Sequence, residues 1–389
     1  MSKRQRQADQ NHHQCRCICG KVPEPGSRWR SKHLYIVLDD WEQGYSIHKL
    51  DADNFLAGQS EDGGEDSCAG AGLMRLLEPP AARLAHSGRA EDMFIASLGS
   101  KILVANGLSC NEQSCTLAYD TETAAMTTGP NLPGNLCGLT VAAGEKQQQK
   151  LYALSGQSGE TGQTRVSFEV LSWVRCGGLS SNKIHRWFWD IDAPPPAPFC
   201  GSEETVAAYA VHPDGTTIFF STEDKNTRRR ERTYSFNAVR GEWRSHGRWV
   251  LPFLGQGYFD RELDAWVGLH RKDHRGYYVC ACQVASRSGR AEPEWTTAKG
   301  KLFQEVPPER HLGATLTYMG DSKFCLVERV IHEDVEMEDA SGHGCALHVT
   351  FFGLKYNRKG ELEATDRRTT KSYAVPMHLH SFSHVAFWM

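Results

Sequence analysis

The chain has 389 residues, 40% of them hydrophobic, with 10 Trp, 12 Tyr and 16 Phe, enough apolar material for a large folded core. A formal net charge of −3 and a pI of about 6.6 give no basic footprint for gripping phosphate backbones, which excludes nucleic acid as an expected partner. No stretch approaches the roughly 18 apolar residues of a membrane helix, and the N-terminus is polar where a secretory apolar region would lie, so no membrane partner is expected and the expected location is cytoplasmic, nuclear or both.

Residues 1–31 begin with the basic Lys3, Arg4 and Arg6 and carry Pro23, Pro25 and Gly26. Such a segment buries too little apolar area to offset its ordering entropy, so it reads as a disordered tail ahead of a single domain over 32–389. Within it, His12, His13, Cys15, Cys17 and Cys19 form the one metal-like run. Alternate residues of an extended strand stand about 6.8 Å apart, whereas sulfurs on one tetrahedral zinc stand about 3.8 Å apart. The run is therefore read as solvated, and no metal or cofactor is expected.

After the tail the chain is written in short strand patterns. The first unit offers 34–39, 45–50 and 73–77. The clearest later unit has strands at 205–211, 216–222, 233–239 and 242–246. His212, Pro213, Asp214 and Gly215 separate the first two of these as a tight turn: Pro presets the second turn position and Gly tolerates positive φ. Similar reversals fall at 98–101, 260–264 and 319–322. Large residues anchor the last strand of each unit at Leu76, Met126, Trp187, Trp243, Trp295 and Leu362, a recurrence of about fifty to sixty-seven residues that radial all-β architectures show.

The first unit lacks one strand, and 380–389 forms a lone alternating strand. If the tail end supplies the missing innermost strand, the array closes and loses its exposed edges. The expected fold is an all-β, six-bladed β-propeller closed by the C-terminal strand. The 13 cysteines are an odd number, and Cys137, Cys280, Cys282 and Cys325 lie inside strand patterns. They read as reduced core residues, with Cys280 and Cys282 on one face and Ala281 on the other.

The passages from Ala118-Tyr119-Asp120 to Pro130-Asn131-Leu132-Pro133 and from Tyr234-Ser235-Phe236 through Gly241-Glu242-Trp243 to Leu251-Pro252 resemble the third-to-fourth strand passage of kelch repeats. The paired glycines usual in kelch blades are reduced to Ser155-Gly156, so the ring is a degenerate kelch-like one. The segments HLYIVLDDWEQGYSIHKLD, LPFLGQGYFDRELDAWVGL, ERHLGATLTYMGDSKFCLVE and FFGLKYNRKGELE resemble a large grass family of uncharacterised kelch-like proteins carrying a domain of unknown function. That resemblance implies a propeller and a plant origin, and it brings no reaction.

No Gly-rich phosphate loop, nucleophile elbow or zincin helix is present, and no catalytic residue is expected. His378, His380 and His384 lie near the strand expected to be innermost, where a polar channel lining is the expected role. The acidic stretches 61–66 and 333–339 and the basic run Arg228, Arg229, Arg230 and Arg232 read as solvated loops. The longest second-to-third strand loops, 157–164, 223–232 and 332–344, share one face with the entries to the innermost strands. Binding to a protein partner is expected there, with Asn135, Glu204, Gln256, Arg310, His311 and His380 converging on the channel mouth. The expected function is a non-catalytic protein-interaction module; the alternative is a channel-based enzyme or a small-metabolite or sugar-binding propeller. Ubiquitin-transfer adaptors, which kelch resemblance brings to mind, usually carry a helical domain ahead of the propeller, and 1–31 is too short and polar for one.

Overall fold

A computed structural model describes residues 32–51, 73–85, 93–106, 116–132, 135–144, 149–158, 164–176, 184–191, 204–224, 231–271, 277–331, 345–365, 369–376 and 384–389. The tail with its His/Cys run, both acidic stretches, Arg228 to Arg230, His378 and His380 lie outside them. Among the described residues the fold is all-β: 26 strands and one 3-10 turn, Pro308–Arg310. No helix there is long and apolar enough to cross a membrane.

The strands pair as antiparallel meanders in chain order. In the first, β1 (His33–Trp41) pairs with β2 (Gly44–Asp51), whose outer edge is taken by β4 (Ala82–Ala85). The inner edge of β1 is taken by the last strand, β26 (Val385–Trp388), in the register Leu34↔Trp388 to Val37↔Val385. The short β3 (Met74–Arg75) lies elsewhere, as shown below. The second unit is β5 (Met93–Leu98), β6 (Lys101–Asn106), β7 (Leu117–Asp120) and β8 (Met126–Thr128). The third is β9 (Asn135–Ala143), β10 (Lys150–Ser158), β11 (Thr164–Cys176) and β12 (Ile184–Ile191).

The fourth unit is β13 (Glu204–Val211), β14 (Thr217–Asp224), β15 (Arg232–Asn237) and β16 (Glu242–Gly247), and the fifth is β17 (Leu254–Asp260), β18 (Ala265–Arg271), β19 (Tyr277–Gln283) and β20 (Trp295–Thr297). The sixth is β21 (His311–Gly320), β22 (Lys323–Ile331) and β23 (Cys345–Tyr356), with the outer edge of β23 divided between β24 (Leu362–Ala364) and β25 (Thr369–Val375).

Two pairings differ from expectation. The segment 73–77 is not the outer strand of the first unit. β3 pairs in parallel with β25 of the sixth, and Leu84 of β4, 6% exposed, fills the position expected of it, while Met74 and Leu77 stay 40% and 75% exposed. The fourth and fifth units also share one eight-stranded sheet, because β13 and β17 hydrogen-bond in parallel through Ala208↔Gly255, Tyr209↔Gln256 and Ala210↔Gly257. Small residues on both strands permit that approach, and a Cβ on Gly257 would run into the Phe253 ring. Hydrogen bonding thus divides the described strands into five sheets.

Local chemistry explains the hairpins. At 212–215 the Asp214 carboxylate accepts the N–H groups of Thr216 and Thr217 at 2.9 and 2.8 Å, and Gly215 takes φ 74° as the turn requires. Alternation then sorts the faces. Cys280 and Cys282 pack with Trp266, Phe219 and Ala208, while Val279 and Ala281 pack on the opposite side with Phe324 and Leu326.

Six apolar clusters result, each bridging two consecutive units. Tyr35, Ile47 and Leu84 meet Ile102 and Tyr119; Phe94 and Leu103 meet Leu151 and Leu171; Tyr152 and Phe168 meet Phe220 and Phe236. The fourth and fifth units meet around Trp266, and the fifth and sixth around Phe324. The sixth cluster joins the last unit to the first: Val327, Leu347 and Phe351 pack on Leu34, Ile36 and Ala386. Each fully buried aromatic or aliphatic side chain contributes about 1.5–3 kcal/mol relative to exposure, so these contacts outweigh the few hydrogen bonds that cross between units.

Candidate functional site

The first strand of every unit, with β26 serving the first, borders one cavity of about 260 Å3. Ser97 of β5, Ala142 of β9, Tyr209 of β13, Gln256 of β17, Thr315 of β21 and Ala386 of β26 each face it. Its other lining residues, such as Tyr258 and Leu316, are equally uncharged. Burial pushes the Tyr209 phenol up to about 12 and holds Tyr258 higher still, with Tyr209 adding to the effect. Both phenols are protonated at neutral pH, so among the described residues the cavity offers hydrogen bonds and no group that exchanges a proton there.

Of the residues expected at the channel mouth, Gln256 lines this cavity. Asn135 and Glu204 open β9 and β13, where their backbones pair with Gly156 and Asp224; their side chains lie outside the described residues. Arg310 closes the 3-10 turn, half-buried. His311 opens β21 and turns to Glu328: its Nε2 lies 3.0 Å from the carboxylate, and its ring packs 5.1 Å from that of Tyr277. His380 lies outside the described residues.

Beside His311 is a buried polar seam between the sixth unit and the first that sequence reasoning missed. The Arg329 guanidinium stands 2.7 Å from the Asp39 carboxylate, both nearly inaccessible, and its Nε donates to Cys345 Sγ at 3.2 Å. The fully buried Glu328 accepts the N–H of Gln304 at 3.1 Å. His384, one of the expected lining histidines, is instead 3% exposed and donates from Nε2 to the Val327 carbonyl at 2.9 Å. Burial brings its pKa down to about 4, helped by the charge of Arg329 and by His311 and opposed by the carbonyl bond. Burial disfavours a charged imidazole there, and the positive Arg329 adds to the penalty. The sequence signal was present in Asp39-Asp40 and Glu328-Arg329, charged pairs set inside apolar strand runs.

The remaining candidate chemistry is structural. Burial pushes the Cys282 thiol up to about 12 and raises Cys280 and Cys325 further, which leaves them inert as nucleophiles. Among the described residues no three His, Cys, Asp or Glu side chains are grouped to hold a metal ion.

Antiparallel units in succession around a neutral cavity define an all-β, propeller-like protein. Residues 31–373 match the family described as Protein of unknown function (DUF1668), and the chain belongs to that family. No curated protein matches it. Among solved structures it is similar to TolB from Acinetobacter baumannii, with a TM-score of 0.45 and 10% identity over 92% of this chain and 66% of that one. It is also similar to the alpha-L-arabinanase of Cellvibrio cellulosa, with a TM-score of 0.34 and 12% identity over 71% of this chain and 95% of that one. A glucose dehydrogenase gives a TM-score of 0.34 and 11% identity over 72% and 95%.

Proposed function

We propose that the protein is a six-bladed, kelch-like β-propeller closed by its C-terminal strand, acting as a non-catalytic protein-interaction module in the cytoplasm or nucleus of a plant cell. The observation that carries the reading is the cavity shared by the first strands of all six units, where the described lining residues include no ionisable group other than two protonated tyrosines. General acid–base work needs a group poised near the working pH, so binding falls to the outer surfaces. The six inter-unit clusters support the blade count, and the pairing of β26 with β1 supports closure. The strand passages quoted above support the kelch relation, and the family segments support the plant cell.

The partner surface is assigned to the end of the units where β10–β11, β14–β15 and β22–β23 are connected by 159–163, 225–230 and 332–344. In a meander, these connections leave from the same end as the entry to the first strand. Arg310 and His311 belong to that end, and an Arg anchor there supplies the concentrated binding energy usual at interfaces. Proximity labelling in the native tissue tests this, comparing wild type with Arg310→Glu and with a deletion of 225–230. Loss of a common set of partners is expected; an unchanged set in both variants overturns the assignment.

A second reading, a sugar or small neutral metabolite held in the cavity, is favoured by the hydroxyl and amide groups of Ser97, Tyr209 and Gln256. At about 260 Å3 the cavity is smaller than the roughly 300–1,000 Å3 common for ligand pockets. Stoichiometric copper, iron or zinc in the purified protein would instead favour a channel enzyme.

A further inference from the structure

A second cavity, an open cleft of about 880 Å3, lies between the fourth and fifth units. One wall is formed by the β13–β14 turn and by β15 and β16, the other by Ser286, Arg287 and Ser288 in the β19–β20 connection. These strand ends are opposite to those of the proposed partner surface, so the cleft does not depend on that reading.

The two faces of β15 and β16 differ in kind. Toward the third unit they present Tyr234, Phe236 and Trp243, packed against Phe168 and Phe220, with the Phe168 and Phe236 rings 4.8 Å apart. Toward the cleft they present Ser235, Asn237 and Arg244, with an edge of Trp243 also in its lining. A strand covered on both faces is apolar on both. Here one face is polar: Ser235 is covered and bonded to His246 at 2.8 Å, while the space over Asn237 and Arg244 toward the turn is left open, an arrangement that forfeits packing and so points to an occupant.

The charge in the cleft is one-sided. Arg240, Arg244 and Arg287 line it beside Glu242, and Asp214 of the adjoining turn pairs with Arg287, which leaves a surplus of one positive charge. Arg244 donates one N–H to the Arg287 carbonyl at 2.9 Å, and Arg287 donates one to Asp214 Oδ2 at 3.1 Å. The Arg240 guanidinium has no partner among the described residues. With five N–H donors on each guanidinium, most of the donors are uncommitted. Their mounts are fixed: Asn237 Oδ1 accepts the N–H groups of Val239 and Arg240 at 3.1 and 2.9 Å, and Ser286 Oγ accepts those of Ser288 and Gly289 at 3.3 and 3.1 Å. His212, also in the wall, is kept neutral by burial.

We propose that this cleft binds a phosphate monoester. Guanidinium forks recognise phosphate bidentately, and three of them beside the Ser288 hydroxyl match a dianion with three terminal oxygens better than a carboxylate with two. The volume suits a phosphorylated sugar or the phosphoserine segment of a peptide, within the roughly 300–1,000 Å3 range of small-ligand sites.

Calorimetric titration with glucose 6-phosphate and with a capped Gly-phosphoserine-Gly peptide, each beside its unphosphorylated counterpart, distinguishes the two sources. The expected result is that at least one phosphorylated probe binds about tenfold or more tightly than its counterpart, the stronger probe naming the source. Arg240→Gln and Arg244→Gln should each weaken that binding by about tenfold. Arg240→Gln keeps the wild-type melting temperature, because its side chain holds nothing in the fold, so a loss of binding there is a loss of contact. The proposal is overturned if neither phosphorylated probe outbinds its counterpart, or if both variants bind as wild type does.

Discussion

The Asp260 carboxylate receives two hydrogen bonds from Ser322, one from the backbone N–H at 2.9 Å and one from the hydroxyl at 2.7 Å, across 62 residues of chain. It also accepts the N–H groups of Glu262 and Leu263 in its own turn at 3.0 and 2.9 Å. One fully buried side chain thus fixes the β17–β18 turn and ties it to the β21–β22 turn of the next unit. Comparable bonds join other neighbours: Gly144 N–H to the Gly215 carbonyl at 2.8 Å, and Trp266 Nε1 to the Val211 carbonyl at 2.9 Å.

Replacing Asp260 by Ala leaves the buried N–H groups of Leu263 and Ser322 and the part-buried N–H of Glu262 without this acceptor, while the Ser322 hydroxyl keeps Glu262. Hydrogen bonds to a charged group contribute about 1.5–3 kcal/mol, and each stranded donor adds a desolvation cost. Asp260→Ala should therefore lower unfolding stability by about 3 kcal/mol or more, and Ser322→Ala by about 1–2 kcal/mol. Urea midpoints measured at constant m-value check this. A loss under about 1 kcal/mol for Asp260→Ala would remove the clasp from the account.

Stability should fall on acidification through the His384 window. The imidazole titrates near 4 in the folded protein and near 6.5 unfolded, so between those values the unfolded chain binds more protons and stability rises with pH. The contribution is fully present above about 6.5 and lost as pH falls toward 4, amounting to about 3 kcal/mol. Burial also lowers His246 and His212, which act in the same sense. In His384→Gln the fall in denaturant midpoint between pH 7 and 4.5 should be shallower than in wild type. An identical slope would show that His384 titrates normally.

Much of the fold was legible because its signals are local. The turn at 212–215 needs Asp214 and Gly215 side by side, and the burial of Cys280 and Cys282 opposite Ala281 follows from strand alternation alone. Trp243 and Trp295 mark outer strands as their spacing suggests. Where the competition was between distant partners, pattern gave the wrong answer: Leu73, Met74, Leu76 and Leu77 look like the better strand, yet the less apolar 82–85 fills the edge of β2 and Leu76 packs on the sixth unit. The cavity was legible only through Gln256. The ion pair of Asp39 with Arg329 joins opposite ends of the chain, and no local spacing reports it.

Gly257 lies in the parallel contact between β13 and β17, and an added methyl there meets the Phe253 ring. Phe253 is 3% exposed and has little room to move. Gly257→Ala should cost about 1–3 kcal/mol, as overpacking does, and Phe253→Leu in the same chain should return part of it. A double-mutant cycle measures the coupling; additive losses would show that the two residues do not press on each other.

Ring closure is tested most directly by a disulfide across β1 and β26. His33 and Met389 exchange both backbone hydrogen bonds, at 2.7 and 3.0 Å. Three residues on in the alternation, Ile36 and Ala386 form a non-hydrogen-bonded pair, the kind whose Cα atoms at about 4.5 Å suit a disulfide. In the folded double variant Ile36→Cys/Ala386→Cys, mapped by mass spectrometry after mild oxidation, the expected result is a 36–386 crosslink with a melting temperature above that of the reduced form. Failure of these two cysteines to join in the native protein, or a crosslink that forms only after unfolding, would contradict a ring fastened by its last strand.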